Sequence, residues 1–396
     1  MTSKKDRTYW NNKPININTK PVQYNDIIDI NFVNLFSDFF EQYSLPSSLT
    51  WNIVMDYDEE IYNKISIFLS KYYTDYELFK TIYTTEYLKL FCDKSIFLLI
   101  TTKSDNEIVG TVCIKNTEIF VFNKKDDFAY INYLCVHPKY RKTKLVSILM
   151  DELTRYVVRE IKMNKGFYLT TNKIPNYNSV IRVYRRPINY LKLSESGYMK
   201  IETTNLNKLV DSFLIKRKTK LIYEKMEEKH LEQVYKLYNL YNVKYNIYIN
   251  YSYDDIKKLL LNNNIISSYV FLDEEKNNVI DFVSFIKYEC KTEIYTISNG
   301  TLFLHSCNNI ISTELIKCLL WILSEENIDM LNVNDTCSIQ DVLLNTMLNV
   351  NEDSDYESYT ETYENKFVKG NKKMYVGFYN YKCQNVNSNN INLYII

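Results

Sequence analysis

Of its 396 residues only three are histidine (His137, His230 and His305), and they lie far apart. The eight cysteines (Cys92, Cys113, Cys135, Cys290, Cys307, Cys318, Cys337 and Cys383) form no Cys-x-x-Cys pair. Together these absences exclude a zinc site of local spacing. The cysteines lie mostly in apolar runs, as reduced, buried thiols of a cytosolic protein do, which argues against a secreted disulfide framework. No apolar run approaches the ~18–20 residues of a membrane-crossing helix. The start, Met1-Thr-Ser-Lys-Lys-Asp-Arg7, is polar and holds no signal-peptide core. Net charge is also missing: 48 basic residues meet 48 acidic ones, so no global field favours nucleic acid. Glycine and proline are scarce at 6 each beside 37 tyrosines. AT-biased coding produces such a composition, and no function is read from it. What remains, 46% apolar and 15% aromatic residues, is a folded chain long enough for two domains or one large duplicated one.

The most informative stretch is Tyr130-Ile-Asn-Tyr-Leu-Cys-Val-His-Pro-Lys-Tyr-Arg-Lys-Thr-Lys-Leu-Val146. A β-rich apolar run leads into a basic loop that opens an amphipathic helix. A helix start presents free N–H groups and a positive dipole end. With Arg141, Lys142 and Lys144 beside it, the loop is a candidate pyrophosphate cradle. The alternative is a solvated basic helix start. Likewise 128–136 is either a plain core strand or one whose amides at Tyr133 and Leu134, exposed by a bulge, hold a developing oxyanion.

Periodicity gives a repeated order of elements. Helix 57–73 carries Ile61, Ile65, Phe68, Leu69 and Tyr72 on one face. A short helix follows at 85–92, then strands 95–102 and 107–114 around a turn, strand 128–136, and helix 143–162. About 170 residues later the order recurs as helices 228–242 and 253–262, strands 266–272, 278–287 and 298–305, and helix 311–326. The duplication predicts an α+β fold. Two pseudo-symmetric halves, 1–205 and 206–396, would surround a largely antiparallel, saddle-shaped sheet flanked by helices. This is the element order of the Gcn5-related N-acyltransferase fold. The second strand-to-helix junction, Ser306-Cys-Asn-Asn-Ile310, has no basic residue, so a phosphate is expected only in the first half.

On these residues the chain resembles the glycylpeptide N-myristoyltransferase family over nearly its whole length. The strongest match is Ile131-Asn-Tyr-Leu-Cys-Val-His137 with Arg141 and Leu145. Tyr9-Trp10 with Pro14 resembles the family's N-terminal segment over CoA. Tyr73-Thr-Asp-Tyr-Glu77 through Phe79, Tyr83 and Glu86 resembles its acidic loop beside the peptide. Ser179-Val-Ile-Arg-Val-Tyr-Arg-Arg186 with Asn189, Asp281-Phe-Val-Ser-Phe285 and Phe378-Tyr-Asn-Tyr-Lys-Cys383 follow in the family's order.

The resemblance implies transfer of myristate from myristoyl-CoA to an N-terminal glycine, with no metal and no covalent enzyme intermediate. It implies that the amides of Tyr133 and Leu134 form the oxyanion hole, that Asn132 and Thr170 orient the amine, and that the carboxylate of Ile396 is the base. Myristoyl-CoA would contact Tyr9, Trp10, Tyr133, Leu134, Cys135, Val136, Arg141, Lys142, Thr143, Lys144, Leu145 and Val146 in the first half. The peptide would contact Tyr73, Asp75, Glu77, Phe79, Tyr83, Tyr184, Arg185, Ser284 and Asn371, lying across the second half. Independently, no Ser-His-Asp or Cys-His set stands out. The apolar end Asn392-Leu-Tyr-Ile-Ile396 suggests docking into the body, or else an edge strand that simply stops. Expected partners are proteins with N-terminal glycine, not nucleic acid, and the expected form is a cytoplasmic monomer.

The sequence departs from the family at Val146, usually Ala, at Tyr184, usually Trp, and at Arg185, usually His. Asn371 stands where an Asp is usual, with Lys372 and Lys373 beside it, and the acidic loop keeps only Asp75 and Glu77. These departures bear on peptide preference more than on chemistry. Segment 350–366 is polar and acidic, either a mobile insertion or a contact for basic peptides. Two rival functions are an acyltransferase of this fold with another acyl chain or amine, and a silent protein that binds acyl-CoA or peptide.

Overall fold

The computed structural model describes residues 13, 27–28, 41–74, 78–173, 177–201, 205–215, 220–337, 339, 342–343 and 367–394, with backbone only at 371–372. Tyr9, Trp10, Asp75, Glu77, Ile396 and segment 350–366 therefore lie outside the described residues.

The first half runs β1 (Leu49–Val54), α1 (Glu59–Tyr72), β2 (Lys80–Thr81), α2 (Thr85–Phe91), β3 (Ser95–Thr102), β4 (Ile108–Val121), β5 (Lys124–Val136), α3 (Leu145–Arg159), β6 (Gly166–Thr170) and β7 (Ser179–Pro187). Two short helices follow, α4 (Tyr190–Glu195) and α5 (Leu206–Phe213). The second half then gives β8 (Ile222–Lys225), α6 (Leu231–Asn242), β9 (Ile247–Ile249), α7 (Tyr253–Leu260), β10 (Ile266–Leu272), β11 (Val279–Lys291) and β12 (Thr296–His305). It closes with α8 (Ser312–Glu325), β13 (Met330–Asn334), β14 (Val368–Tyr379) and β15 (Ile391–Asn392).

Local chemistry explains the helix that matters most for the site. Asp58 caps α1 by accepting from the Ile61 N–H at 2.9 Å, Glu59 and Glu60 sit in its first turn and Lys71 in its last. Each suits the helix dipole. Its apolar face buries Tyr62, Ile65, Phe68 and Leu69, so its C-terminus is pinned beside β5.

The halves do not form separate sheets. The strand order is β1-β3-β4-β5-β6-β14-β7-β13-β12-β11-β10-β8. β6 and β14 pair antiparallel, β7 pairs with β13, and β14 and β7 pair with each other. Each half thus lends its last long strand to the other. The pairing of β5 with β6 and of β12 with β13 is parallel, at equivalent places in the two copies. β4 runs beyond the expected residue 114 to Val121, because Phe122 and Asn123 turn directly into β5 with φ of 48° and 66°. That extension pairs with β9, which in turn pairs with β15, so the C-terminal strand leans on the first half.

Candidate active site

β5 bulges. Opposite β4 its register reads Thr111↔Cys135 and Cys113↔Asn132, so Tyr133 and Leu134 together face the single residue Val112. Tyr133 takes a left-handed conformation, φ 52°. For a tyrosine that costs about 1–2 kcal/mol, and its surroundings must hold it there. Its ring is 2% exposed, stacks on Phe97 at 6.4 Å and meets the edges or faces of Tyr83 and Tyr73 at 5.9 and 5.8 Å. Its N–H donates to Asn132 Oδ1 at 2.8 Å, and the Tyr73 hydroxyl reaches the same oxygen at 3.4 Å. A carbonyl oxygen bound at this amide would compete with Asn132. Leu134, by contrast, is 37% exposed.

The bulge falls where two parallel strands part. The β5–β6 ladder ends at Ile131↔Tyr168, and Thr170 lies two residues farther along β6. The strand that bends away at Asn132–Leu134 therefore opens a notch whose other side is the end of β6. Thr170 Oγ1 accepts from the Asn172 N–H at 3.1 Å. Cys135 and Val136 are buried beyond the bulge, at 4% exposure each.

The basic loop is divided in its roles. Arg141, half-buried, bonds within the fold: its Nε donates to the Val136 carbonyl at 2.8 Å and its Nη2 to the Tyr72 carbonyl at 3.0 Å. The guanidinium ties the end of β5 to the C-terminus of α1, where carbonyls want a cation. Lys142 and Lys144 are exposed. α3 begins at Lys144 with no side-chain cap and no acidic residue in its first turn. The Leu145 N–H finds the Thr143 hydroxyl at 3.2 Å, and Leu145 is buried while Val146 is exposed. A cleft of about 480 Å³, lined among others by Lys71, Tyr72, His137 and Lys139, lies beside the loop. His137 is held below its usual pKa by partial burial and by the charges of Lys139, Lys71 and Arg141.

Of the residues expected to meet a peptide, Tyr73 and Tyr83 surround the bulge, as described. Burial pushes the Tyr73 hydroxyl up to about 12 and raises that of Tyr133 as well, so both stay protonated at neutral pH. Phe79 is buried against Tyr198, 4.8 Å between ring centres. Tyr184 packs in the core of the second half. Ser284 is fully buried and its hydroxyl donates to the Leu304 carbonyl at 2.7 Å, so here it bonds within the sheet. Arg185 lies half-buried on β7, and Asn371 is placed on β14 by its backbone alone.

Sequence reasoning missed a cluster at the end of the described chain. Tyr394 is 6% exposed, and its hydroxyl meets His305 Nδ1 at 2.8 Å. Tyr241 holds the other ring nitrogen, Nε2, at 3.2 Å. The Cys337 thiol donates to the Ile391 carbonyl at 3.2 Å, and Asn392 pairs with Asn242. Burial lowers the His305 pKa to about 4, so it serves as a neutral hydrogen-bond partner. The one available signal was a histidine closing an apolar strand.

Among the described residues no group of three or more His, Cys, Asp or Glu could hold a metal ion, and no helix is long and apolar enough to cross a membrane.

Known proteins resemble this chain in sequence and in fold. The chain is 23% identical to the glycylpeptide N-tetradecanoyltransferase of Plasmodium falciparum (isolate 3D7), with 99% of this chain and 94% of the relative aligned. It is 24% identical to the probable glycylpeptide N-tetradecanoyltransferase of Caenorhabditis elegans, over 97% of this chain and 84% of the other. The crystal structure of Saccharomyces cerevisiae N-myristoyltransferase with bound myristoyl-CoA and inhibitors superposes with a TM-score of 0.82 at 19% identity. That match covers 98% of this chain and 93% of the yeast one. The N-terminal domain of myristoyl-CoA:protein N-myristoyltransferase matches residues 25–180 and its C-terminal domain residues 195–393, and the chain belongs to that family.

Proposed function

We propose that the chain transfers a myristoyl group from myristoyl-CoA to the amine of an N-terminal glycine. The observation that carries this reading is the bulge at Tyr133–Leu134, set where β5 and β6 part. Acyl transfer from a thioester requires donors aimed at the oxygen on which charge develops. A bulged strand turns consecutive amides out of the ladder, which a regular strand cannot do.

In this reading the glycine nitrogen bonds to the thioester carbon, and the carbonyl electron pair moves to oxygen, held by the N–H groups of Tyr133 and Leu134. The carbonyl oxygen displaces Asn132 from the Tyr133 amide, and the freed Oδ1 orients the amine together with Thr170. On collapse the C–S bond breaks. The sulfur leaves with its electron pair and accepts the proton still carried in excess by nitrogen. The first proton, that of the glycine ammonium, goes to the carboxylate of Ile396. An α-amino group has a pKa of roughly 7.7–8.0, within reach of a desolvated carboxylate. Support for this base comes from the grip on Tyr394 two residues earlier. The CoA pyrophosphate lies on the amides of the Lys142–Val146 loop with Lys142 and Lys144, while Arg141 holds the loop's shape.

We assign myristoyl-CoA to residues 1–205, covered by Tyr9 and Trp10, and the peptide to 206–396, in a monomeric cytoplasmic enzyme. Seven of the eight cysteines are buried and none is in a disulfide, which suits a reducing compartment. The test is to mix the purified protein with myristoyl-CoA and a Gly-starting octapeptide. The peptide is expected to gain one myristoyl group on its amine; an unchanged mass, with acyl-CoA bound, overturns the reading. Removing Ile395 and Ile396 is expected to abolish turnover yet leave acyl-CoA binding, and normal turnover would reject the terminal base.

A further inference from the structure

Arg185 sits in the middle of the exchanged strands, opposite Asn332 of β13 on one side and Val368 of β14 on the other. Its Nε is enclosed and has no hydrogen-bond partner, and among the described residues the guanidinium makes no ion pair. The groups around it are neutral and satisfy one another. Asn332 donates to the Tyr288 hydroxyl at 3.0 Å and to Asn299 Oδ1 at 3.4 Å. The Tyr198 hydroxyl contacts Asn299 Oδ1 at 3.3 Å and Cys290 Sγ at 3.5 Å. The charge of Arg185 is felt at Tyr198, Tyr288 and Cys290, opposing the effect of burial there.

The nearby charges do not compensate it. On the neighbouring strand pair, Lys369 faces Tyr184 and Lys373 faces Arg182. Arg186 donates to the carbonyl of Phe213 at 3.2 Å, and Asp335 accepts from the Arg182 N–H at 2.7 Å. A partly enclosed guanidinium without an anion is costly and presents a planar fork that matches a carboxylate. The site is also where the halves meet: Tyr198 of the first half contacts Asn299 and Cys290 of the second, and Thr81 Oγ1 lies 3.7 Å from Cys290 Sγ.

We propose that Arg185, with Tyr288 and Tyr198 beside it, forms a peptide subsite for an acidic side chain. The enzyme thus favours glycine-terminated substrates with Asp or Glu some residues downstream. This rests on the transferase reading and deepens it.

The test uses neutral Gly-starting octapeptides in which one residue is Glu, Gln or Lys, moved along the sequence. At one position Glu is expected to exceed Gln in kcat/KM by about tenfold or more, the scale of a charge-assisted bond, with Lys below Gln. In Arg185→Gln that ratio is expected to fall to about one, and in Arg185→Lys, which keeps charge but loses the fork, to an intermediate value. Absence of any position where wild-type protein prefers Glu to Gln overturns the subsite, as does a preference that survives in Arg185→Gln. Titrating the same peptides by fluorescence onto the acyl-CoA-loaded protein separates the two readings. Preferential Glu binding without transfer keeps the subsite and sinks the reaction; equal binding sinks the subsite whatever the turnover.

Discussion

The two copies of the strand-loop-helix unit have resolved the same electrostatic problem in opposite ways. In the second half the loop after β12 wraps its amides around a carboxylate of the chain itself. Asp281 of β11 accepts from the N–H groups of Asn308, Asn309 and Ile310 at 2.9, 2.8 and 2.7 Å and from the Ser306 hydroxyl at 2.6 Å. The anion site ahead of α8 is thus filled internally by a fully buried carboxylate. In the first half the matching edge of β4 is Ile108-Val-Gly110, anchored through the His137 N–H to the Val109 carbonyl, and it carries no acid. Its loop instead displays Lys142 and Lys144 at an uncapped helix. On the proposed reading the anion comes from outside, as the phosphates of CoA. Of the two loops, a buried aspartate closes the second.

The largest expected effect breaks the filled copy. Asp281→Ala leaves three backbone donors and a hydroxyl without their acceptor, each unsatisfied donor costing on the order of 1–3 kcal/mol. Unfolding in urea should show a loss of roughly 3–5 kcal/mol. A loss below 1 kcal/mol would mean that the loop relaxes to water and that the plug is not what holds it.

The histidines at the two junctions sharpen the contrast. His137, half-exposed, meets the Tyr72 hydroxyl at 3.2 Å, whereas His305 is clamped between two buried tyrosines with its pKa lowered to about 4. Since the folded value lies below the unfolded ~6.5, the stability tied to neutral His305 is complete above pH 6.5 and drains away as pH falls toward 4. The full span is about 3 kcal/mol at ~1.4 kcal/mol per pKa unit. Asp335 works the other way, because burial raises it to about 6. Its contribution falls as pH rises from ~3.8 to 6, so the wild-type profile partly cancels. Comparing pH 7 with pH 4.5, Asp335→Asn should lose more stability than wild type on acidification, and His305→Gln less. Parallel profiles for all three would remove His305 as the titrating clamp.

Much of this was legible in the sequence where contacts are local. Strands 95–102 and 266–272 fall where alternation and turn residues put them, and the six-element repeat matches the two copies. Long-range partners were not legible. β7 and β14 find their neighbours in the opposite half, and the tight β4–β5 turn hides a phenylalanine in a left-handed conformation. Asp281 was visible within a family motif, but the amides it serves come 27 to 29 residues later. Arg141 read as a phosphate ligand because its sequence neighbours are basic; the carbonyl of Tyr72 that it bonds is 69 residues away.

The smallest effect tests the open copy, and it should appear in binding rather than stability. Lys142 and Lys144 are exposed, and exposed charges contribute little to folding, so the Lys142→Ala/Lys144→Ala protein should unfold within about 0.5 kcal/mol of wild type. Its affinity for myristoyl-CoA should drop by roughly tenfold at low salt, measured by calorimetry. Because solvent-exposed charges are screened within ~8–10 Å at 0.1–0.15 M ionic strength, raising salt should weaken the wild type and move the variant much less, closing the gap. If the gap persists at high salt, the lysines act by shaping the loop instead. If there is no gap at all, the backbone amides ahead of α3 hold the phosphates alone, and the two copies differ only in whether a carboxylate of the chain already sits there.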